Sequence, residues 1–334
     1  MTLHILFKDF TMHALLSSRA LLSAALVFNI VGTLAIPAHA ADAPSQSAAT
    51  KQKAAAPKQR TYDSPEAAVK DLITAARAGD SKGLLAILGA GAKPVIASGD
   101  AVADKAGLER FVKSYDEAAT IERAGDAKAM LATGKDGWPF PIPVVKNAAG
   151  WRFDTRAGKE EIINRRIGRN ELSVMQVLQA YVDAQREYYL RNPQGDKLLQ
   201  YAQRVVSNPG KRDGLYFPTK AGEPVSPLGP AVDKAKAQGY SEADRGAGYH
   251  GYHFRILKGQ GPDAPGGAYD YMAQGRMIGG FAMVAWPVSY GNSGVMTFLV
   301  NHEGVVFEKD LGPDTVAAVQ KIMKFNPDKS WKKP

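Results

Sequence analysis

The feature that most constrains the fold of this chain is an alternating segment at residues 249–312. Short apolar runs rich in aromatic and β-branched residues are separated there by glycine-dense turns. This pattern is typical of an antiparallel β-meander, because each apolar run can form a strand and glycine supplies the conformations that tight turns need. Residues 281–286 are apolar at both alternating positions, which predicts a central strand covered on both faces.

Helices are predicted before the meander. Ser64 and Pro65 suit the N-cap and first position of a helix, and Asp80 can cap a second one. The most strongly helical stretch is residues 159–190, where Leu172 is expected on the buried stripe. We expect a break at Gly168, with Asn170 capping the helix that follows it.

A small hairpin is expected between these helical regions. Alternate prolines in residues 138–145 favour an edge strand, because proline cannot donate to a ladder, and residues 151–154 would return the chain. Its large aromatic residues are expected to be core, and a closing helix is predicted at residues 313–325. The expected aromatic core residues are Trp138, Phe140, Trp151 and Phe153, and the closing helix is expected to bury Thr315, Val316, Val319, Ile322 and Met323.

These patterns together predict an α+β fold in which a long helix packs on a C-terminal antiparallel sheet. We expect a signal peptide at 1–40, a disordered tether at 41–60 and an N-terminal α+β domain at 61–157. Residues 158–334 would hold the long helix, an irregular loop at 208–248, the sheet and the closing helix.

The first forty residues have the pattern of a secretory signal peptide. Lys8 and Arg19 precede an apolar run at 20–36, and Ala38-His39-Ala40 is a small-x-small cleavage pattern. The run is short for a membrane span and no later segment approaches the required length, so we expect cleavage near Ala40 and no transmembrane segment afterwards. The expected location is the periplasm or the exterior.

Composition narrows the possible chemistry. The chain contains no cysteine, which excludes disulfides, thiol nucleophiles, iron–sulfur clusters and thiolate zinc sites. The formal net charge is +9, but no arginine-rich cluster with interleaved aromatic residues is present, so nucleic acid is not an expected partner. No nucleophile elbow or phosphate loop occurs, and we expect no cofactor.

The histidines outside the signal segment do not form a metal motif. His250 and His253 are expected in one strand, where a separation of three residues places them on opposite faces. His302 and Glu303 are expected in a turn between two strands. We therefore predict no metal site and no catalytic residue.

Polar and aromatic residues at the predicted turns of the meander are the binding candidates. The candidate binding residues are Tyr269, Tyr271, Tyr290, Asn292, His302 and Glu303.

A second set of candidates consists of Arg165, Arg166 and Arg169, and it has two interpretations. The first is an anion site. The second, which we favour, is a solvated helix face paired with neighbouring glutamates.

Several long blocks of the chain resemble a known family. They include WPFPIPVV, GWRFDT, YVDAQREYY, YHGYHFRIL and GRMIGGFAMVAWPVSYGNSGVMTFLVN. These blocks are similar to an exported bacterial family catalogued as domain of unknown function 2950. The resemblance covers almost the whole chain after the tether, and it implies export without implying an activity.

The C-terminal half also resembles the globular heads of type IV pilins and pseudopilins, in which a helix packs on an antiparallel sheet. Pilins begin with a hydrophobic helix, whereas a soluble region precedes the long helix here. Three functions remain open: a non-catalytic module that binds an envelope protein or polymer, a periplasmic hydrolase using carboxylates or His302, and a pseudopilin-like assembly component. We favour the binding module.

Overall fold

The computed structural model describes residues 58–241 and 248–334. Over these residues the chain forms helices and antiparallel sheets, so the predicted α+β class is confirmed. The predicted signal peptide and most of the predicted tether lie outside the described residues. The described helices are α1 (Pro65–Arg77), α2 (Ser81–Leu88), α3 (Lys93–Ile96), α4 (Ala101–Glu117), α5 (Thr155–Arg191), α6 (Gly229–Ala237) and α7 (Thr315–Gln320).

The first helices begin where their capping residues predict. Ser64 accepts a hydrogen bond from the backbone N–H of Ala67, with Pro65 at the first helical position. Asp80 accepts in the same way from Gly83 at the start of α2. Each cap satisfies a backbone donor that the first helical turn leaves unpaired.

The N-terminal sheet has the order β1-β2-β4-β5, and β3 pairs with β2 beside it. The predicted hairpin is present as β4 and β5, which pair Val145 with Arg152. The predicted edge strand is interrupted at Pro141 and Pro143 and forms two short strands instead. The strands are β1 (Ala119–Arg123), β2 (Lys128–Thr133), β3 (Trp138–Pro139), β4 (Val144–Asn147) and β5 (Gly150–Phe153).

The long helix α5 is continuous over 37 residues, so the predicted break at Gly168 is wrong. Asn170 does not cap a helix. Its buried side chain donates a 2.8 Å hydrogen bond to the backbone carbonyl of Ser293, in the turn between two strands of the C-terminal sheet. Tertiary contacts of this kind stabilise the helix through a glycine that would weaken it in isolation.

The C-terminal sheet has the order β13-β12-β11-β6. Its inner strand β11 is buried on both faces except at Trp286, as the apolar pattern predicts. Helix α5 packs against this sheet through β12. The strands of this half are β6 (Tyr252–Leu257), β7 (Gly259–Gln260), β8 (Tyr269–Asp270), β9 (Met272–Ala273), β10 (Arg276–Met277), β11 (Ala282–Pro287), β12 (Met296–Asn301) and β13 (Val306–Asp310).

The buried apolar residues described here form one cluster around α1, α2 and the N-terminal sheet and another around α5 and the C-terminal sheet. Helix α5 takes part in both, because Ile162 packs against the first cluster and Val174 belongs to the second. Some expected core residues are instead exposed, because the closing helix is short, α5 presents part of its stripe to solvent, and the two-residue strand β3 is itself exposed. They are Trp138, Leu172, Val316 and Met323.

Among the residues that the structure describes, no helix has both the length and the apolar character needed to cross a membrane.

Candidate functional site

The turn between β12 and β13 brings part of the predicted site together. His302 follows the last residue of β12, and Tyr269 and Tyr271 come from β8 and the residue after it. The Tyr269 hydroxyl lies 3.4 Å from His302 Nε2. The rings of Tyr271 and His302 meet edge to face, with centroids 5.7 Å apart. We refer to Tyr269, Tyr271, His302 and Glu303 as the tyrosine–histidine corner.

The residues of the corner differ in exposure. Tyr269 is 36% exposed and Glu303 is also exposed, whereas Tyr271 is fully buried. The Tyr271 hydroxyl donates a 2.9 Å hydrogen bond to Gln260 Oε1, which is also buried. Tyr271 therefore supports the corner from behind, while Tyr269, His302 and Glu303 are the residues that a ligand can reach.

Gly280 leaves room for the imidazole. Its φ is +148°, and a Cβ there would lie 2.7 Å from His302 Nδ1 and 3.0 Å from the Tyr271 ring. A side chain at this position would push against both rings. The sequence motif Gly279-Gly280 is thus explained by packing at the corner rather than by a phosphate-binding loop.

Two buried polar atoms at the corner make no well-formed hydrogen bond among the described residues. They are His302 Nδ1 and Asn301 Nδ2. The backbone of Phe281 lies near the His302 ring and Tyr271 lies near the Asn301 side chain, so both atoms face the protein interior rather than the surface. The Asn301 side chain does make one bond, accepting from the backbone N–H of Glu303 at 3.2 Å.

Burial lowers the pKa of His302 below its ordinary value, an effect larger than the opposing influence of Glu303. The imidazole is therefore neutral at pH 7, and its ring nitrogens comprise one donor and one acceptor. A neutral imidazole beside an exposed tyrosine is suited to hydrogen bonding with an uncharged polar ligand. It is also chemically capable of accepting a proton.

Helix α5 fixes the turn that carries the corner. Arg186 Nη2 donates to the carbonyl of His302 at 3.0 Å, and Gln179 Nε2 donates to the carbonyl of Gly304 at 2.9 Å. Both donors come from α5, so the position of the corner follows the packing of this helix on the sheet. The corner is therefore at the surface, and its backbone is held by hydrogen bonds from α5.

The other predicted residues lie at the opposite end of the β11–β12 hairpin. Tyr290 donates a 3.1 Å hydrogen bond to Asp310, and Asn292 contacts Arg166 and the carbonyl of Ala97. The two ends are separated by the length of a six-residue strand, which is about 17 Å. The six candidates therefore do not form one site.

The structure also reveals a polar junction that the sequence analysis missed. Asp100 is fully buried and accepts hydrogen bonds from the Tyr240 hydroxyl at 2.8 Å and the backbone N–H of Gly251 at 2.9 Å. His250 lies beside them in a left-handed conformation with φ of +51°. The sequence Ser98-Gly99-Asp100 before α4 indicates only that Asp100 can be an N-cap. No local pattern indicates its distant partners, Tyr240 and Gly251.

This junction also corrects the expectation for the histidine pair. His250 precedes β6 rather than lying in it, and its left-handed backbone belongs to a turn. His253 is in β6 and packs its ring against Trp286 at a centroid distance of 5.4 Å. Within residues 58–241 and 248–334, no group of three or more histidine, aspartate or glutamate side chains is placed to hold a metal ion.

Comparison with known protein families gives one result. The family model described as "Protein of unknown function (DUF2950)" matches residues 59–333. The chain belongs to this DUF2950 family. The match extends from the residues before α1 to the residues after α7, so both core clusters are part of the family's sequence.

No curated protein and no solved structure matches the chain significantly. The resemblance to pilin heads is accordingly not shown. The DUF2950 match carries no assigned activity, so function has to be inferred from the geometry of the corner.

Proposed function

We propose that this DUF2950 protein is an exported, non-catalytic module that binds a polymer of the cell envelope through the tyrosine–histidine corner. Export is supported by the signal-peptide pattern of residues 1–40 and the Ala/Pro/Lys-rich segment that follows it. The observation that carries the binding role is the exposed Tyr269 ring held beside the neutral imidazole of His302.

The chemistry of the corner favours a glycan polymer. An exposed tyrosine ring offers a flat apolar face for the C–H groups of a sugar, and its hydroxyl offers a hydrogen bond. His302 and Glu303 add a donor and acceptors suited to sugar hydroxyls. A ligand with many hydroxyl groups uses both kinds of contact at once, whereas a purely apolar surface would leave the polar atoms unpaired.

A sedimentation assay with insoluble peptidoglycan tests this role. Purified protein without residues 1–40 is incubated with the polymer, and the bound fraction is measured after centrifugation. We expect saturable binding that Tyr269→Ala and His302→Ala each weaken by about tenfold, because each loses a central contact. Tyr290→Ala is the matched control, since it removes a tyrosine at the far end of the hairpin.

The remaining outcomes separate the alternatives. Release of soluble sugar fragments, abolished by His302→Ala, would favour the hydrolase. Capture of an envelope protein in place of polymer, with the same sensitivity to Tyr269→Ala, would assign the corner to a protein partner. Polymer binding that neither Tyr269→Ala nor His302→Ala weakens would show that the corner is not the binding site. Crosslinked multimers of this chain in native envelopes would favour the assembly component.

The carboxyl at the corner is that of Glu303, which is exposed, and the described carboxyl groups with raised pKa values belong to other parts of the fold. Burial raises the pKa of the Asp104 and Glu308 carboxyl groups, as expected for candidate acids. The charged neighbours of Asp104 are Arg166 and Asp100, and those of Glu308 are Glu171 and Lys332. Neither set includes His302, which supports the binding role over hydrolysis.

A further inference from the structure

One side of α5 runs alongside the tyrosine–histidine corner. Gln179 and Arg186 hold the corner turn through their hydrogen bonds to its backbone. Val182, between them on the same side of the helix, would lie 3.7 Å from a Cβ placed on Gly304. Tyr189 follows Arg186 by three residues and is half-buried. Helical spacing therefore places a further aromatic side chain one turn beyond the corner.

A second tyrosine, Tyr201, packs on Tyr189. The two rings are stacked, with centroids 4.8 Å apart. Tyr201 is also half-buried, and its backbone N–H donates a 2.8 Å hydrogen bond to the carbonyl of Met277 in β10. The stacked rings are thus positioned from two sides, by α5 and by β10. We refer to Tyr189 and Tyr201 as the tyrosine pair.

The ring of Phe281 connects the tyrosine pair to the corner. Phe281 is fully buried directly before β11, and its ring lies 4.9 Å from that of Tyr201 between centroids. The imidazole of His302 contacts the same phenyl ring at a centroid distance of 6.2 Å. Tyr201 and His302 are therefore separated by no more than one ring. Burial raises the pKa of Tyr201, and Tyr269 adds to this shift, which agrees with a short distance between the two tyrosines.

The hydroxyl groups of the tyrosine pair differ from those of the buried tyrosines on α5. Tyr181 donates to the carbonyl of Ala282 and Tyr188 to the carbonyl of Arg212. The tyrosine pair makes ring contacts, but within the described residues neither of its hydroxyl groups has a hydrogen-bond partner. Both hydroxyl groups are therefore available as donors and acceptors for a ligand.

Charges of both signs lie along this surface. Arg186 forms a 3.8 Å ion pair with Asp183, one turn earlier on α5. At the corner, the exposed Glu303 adds a further negative charge. Such a mixture does not favour a strongly acidic or strongly basic partner. Tyrosine rings with free hydroxyl groups instead suit an uncharged ligand that is rich in hydroxyl groups.

We propose that the corner and the tyrosine pair form one elongated site that takes several consecutive sugar units of an uncharged glycan strand. This inference rests on the glycan-binding role proposed above and adds the length and charge of the ligand. A single sugar at Tyr269 and His302 does not reach the tyrosine pair, whereas a strand that continues over Phe281 contacts both. Rings that are already stacked lose little conformational freedom on binding, so this second contact adds affinity.

Titration calorimetry with the disaccharide and the tetrasaccharide of N-acetylglucosamine tests the elongated site on the protein without residues 1–40. We expect the tetrasaccharide to bind about tenfold more tightly, because it alone reaches the tyrosine pair. Tyr189→Ala should remove most of this advantage, and it should fold because alanine favours a helix. Tyr201→Phe keeps the packing on Phe281 and should lose a severalfold part of the advantage with its hydroxyl.

Tyr290→Ala is the matched control, since Tyr290 is also half-buried but lies at the far end of the β11–β12 hairpin. It should keep the full advantage of the tetrasaccharide, and circular dichroism establishes that each variant is folded. Equal affinity of the wild type for the two lengths would overturn the elongated site and leave the role of the corner intact. The same conclusion follows if the advantage persists in both Tyr189→Ala and Tyr201→Phe. If neither oligosaccharide binds, the glycan-binding role of the corner is rejected together with the elongated site.

Discussion

The side chain of Asp100 accepts a 2.8 Å hydrogen bond from the hydroxyl of Tyr240, a residue 140 positions later in the chain. Asp100 also caps α4 by accepting from Ala103, and it accepts from the backbone N–H of Gly251 just before β6. One fully buried carboxylate therefore connects three parts of the fold. They are the start of α4, Tyr240 in the segment after α6, and Gly251 directly before β6.

Replacing this carboxylate should destabilise the whole fold. Asp100→Ala leaves two backbone donors and a buried hydroxyl unpaired, so we expect a loss of about 3–5 kcal/mol in the free energy of unfolding. Asp80→Ala is the matched control, since Asp80 caps α2 from an exposed position and should cost about 1 kcal/mol. Urea denaturation measures both. Equal losses in the two variants would show that the long-range contacts of Asp100 add nothing.

Two glycines of α5 should respond oppositely to alanine. At Gly158 a Cβ would lie 2.1 Å from the carbonyl oxygen of Pro141, so Gly158→Ala should destabilise by about 1–3 kcal/mol. At Gly168 the surroundings are open, and Gly168→Ala should stabilise by about 1 kcal/mol. Thermal unfolding followed by circular dichroism tests the pair. A shift of the same sign in both would contradict the packing described for α5.

The tyrosine–histidine corner should need a residue without a side chain at position 280. Gly280→Ala places a methyl group against His302 and Tyr271 in a conformation that already disfavours a side chain. Gly275→Ala is the control, because Gly275 also has positive φ but open surroundings, and backbone strain alone should cost about 1–2 kcal/mol. We expect Gly280→Ala to cost about 1–3 kcal/mol more. Similar midpoints of urea unfolding for the two variants would argue against the crowded corner.

Two half-buried histidines should make the protein less stable in mild acid. Burial lowers the pKa of His250 below its ordinary value of 6.5, so the unfolded chain takes up a proton at a higher pH than the folded one. The contribution of His250 is therefore complete above pH 6.5 and is lost as the pH falls below that value. His302 has the same sign, because burial also lowers its pKa.

The free energy of unfolding at pH 7.5 and at pH 5.5, in wild type and in His250→Asn, measures this effect. Asparagine tolerates the left-handed backbone at this position, so the variant removes the titrating group with little added strain. We expect a smaller drop between the two pH values in the variant. An equal or larger drop would show that His250 is not a source of the acid sensitivity.

The parts of the fold that could be predicted from the sequence are those that depend on local patterns. The caps at Ser64 and Asp80 and the continuous apolar run at residues 281–286 act over a few residues, and the structure confirms the elements they predict. The break expected at Gly168 did not occur, because the hydrogen bonds of Arg166 to α3 and of Asn170 to the turn at Ser293 outweigh the weak helix propensity of one glycine. Such bonds leave no periodic trace in the sequence.

For the same reason, the sequence could not show which of the candidate residues lie together. The turn position of His302 follows from the strand pattern, and the contact with Tyr269 depends on how β8 returns to that end of the sheet. Tyr290 and Asn292 share turn composition with the corner but lie at the other end of the hairpin. Asp100 and Tyr240 were missed because their pairing spans 140 positions.

The most direct test of the corner as a glycan-binding site is the nuclear magnetic resonance of the histidine rings. Soluble oligosaccharides released from peptidoglycan are titrated into the protein without residues 1–40, in which His250, His253 and His302 are the histidines present. The account predicts that the His302 ring resonances shift in a saturable manner, while those of His253 stay unchanged. No shift of His302, or equal shifts of all three rings, would contradict it.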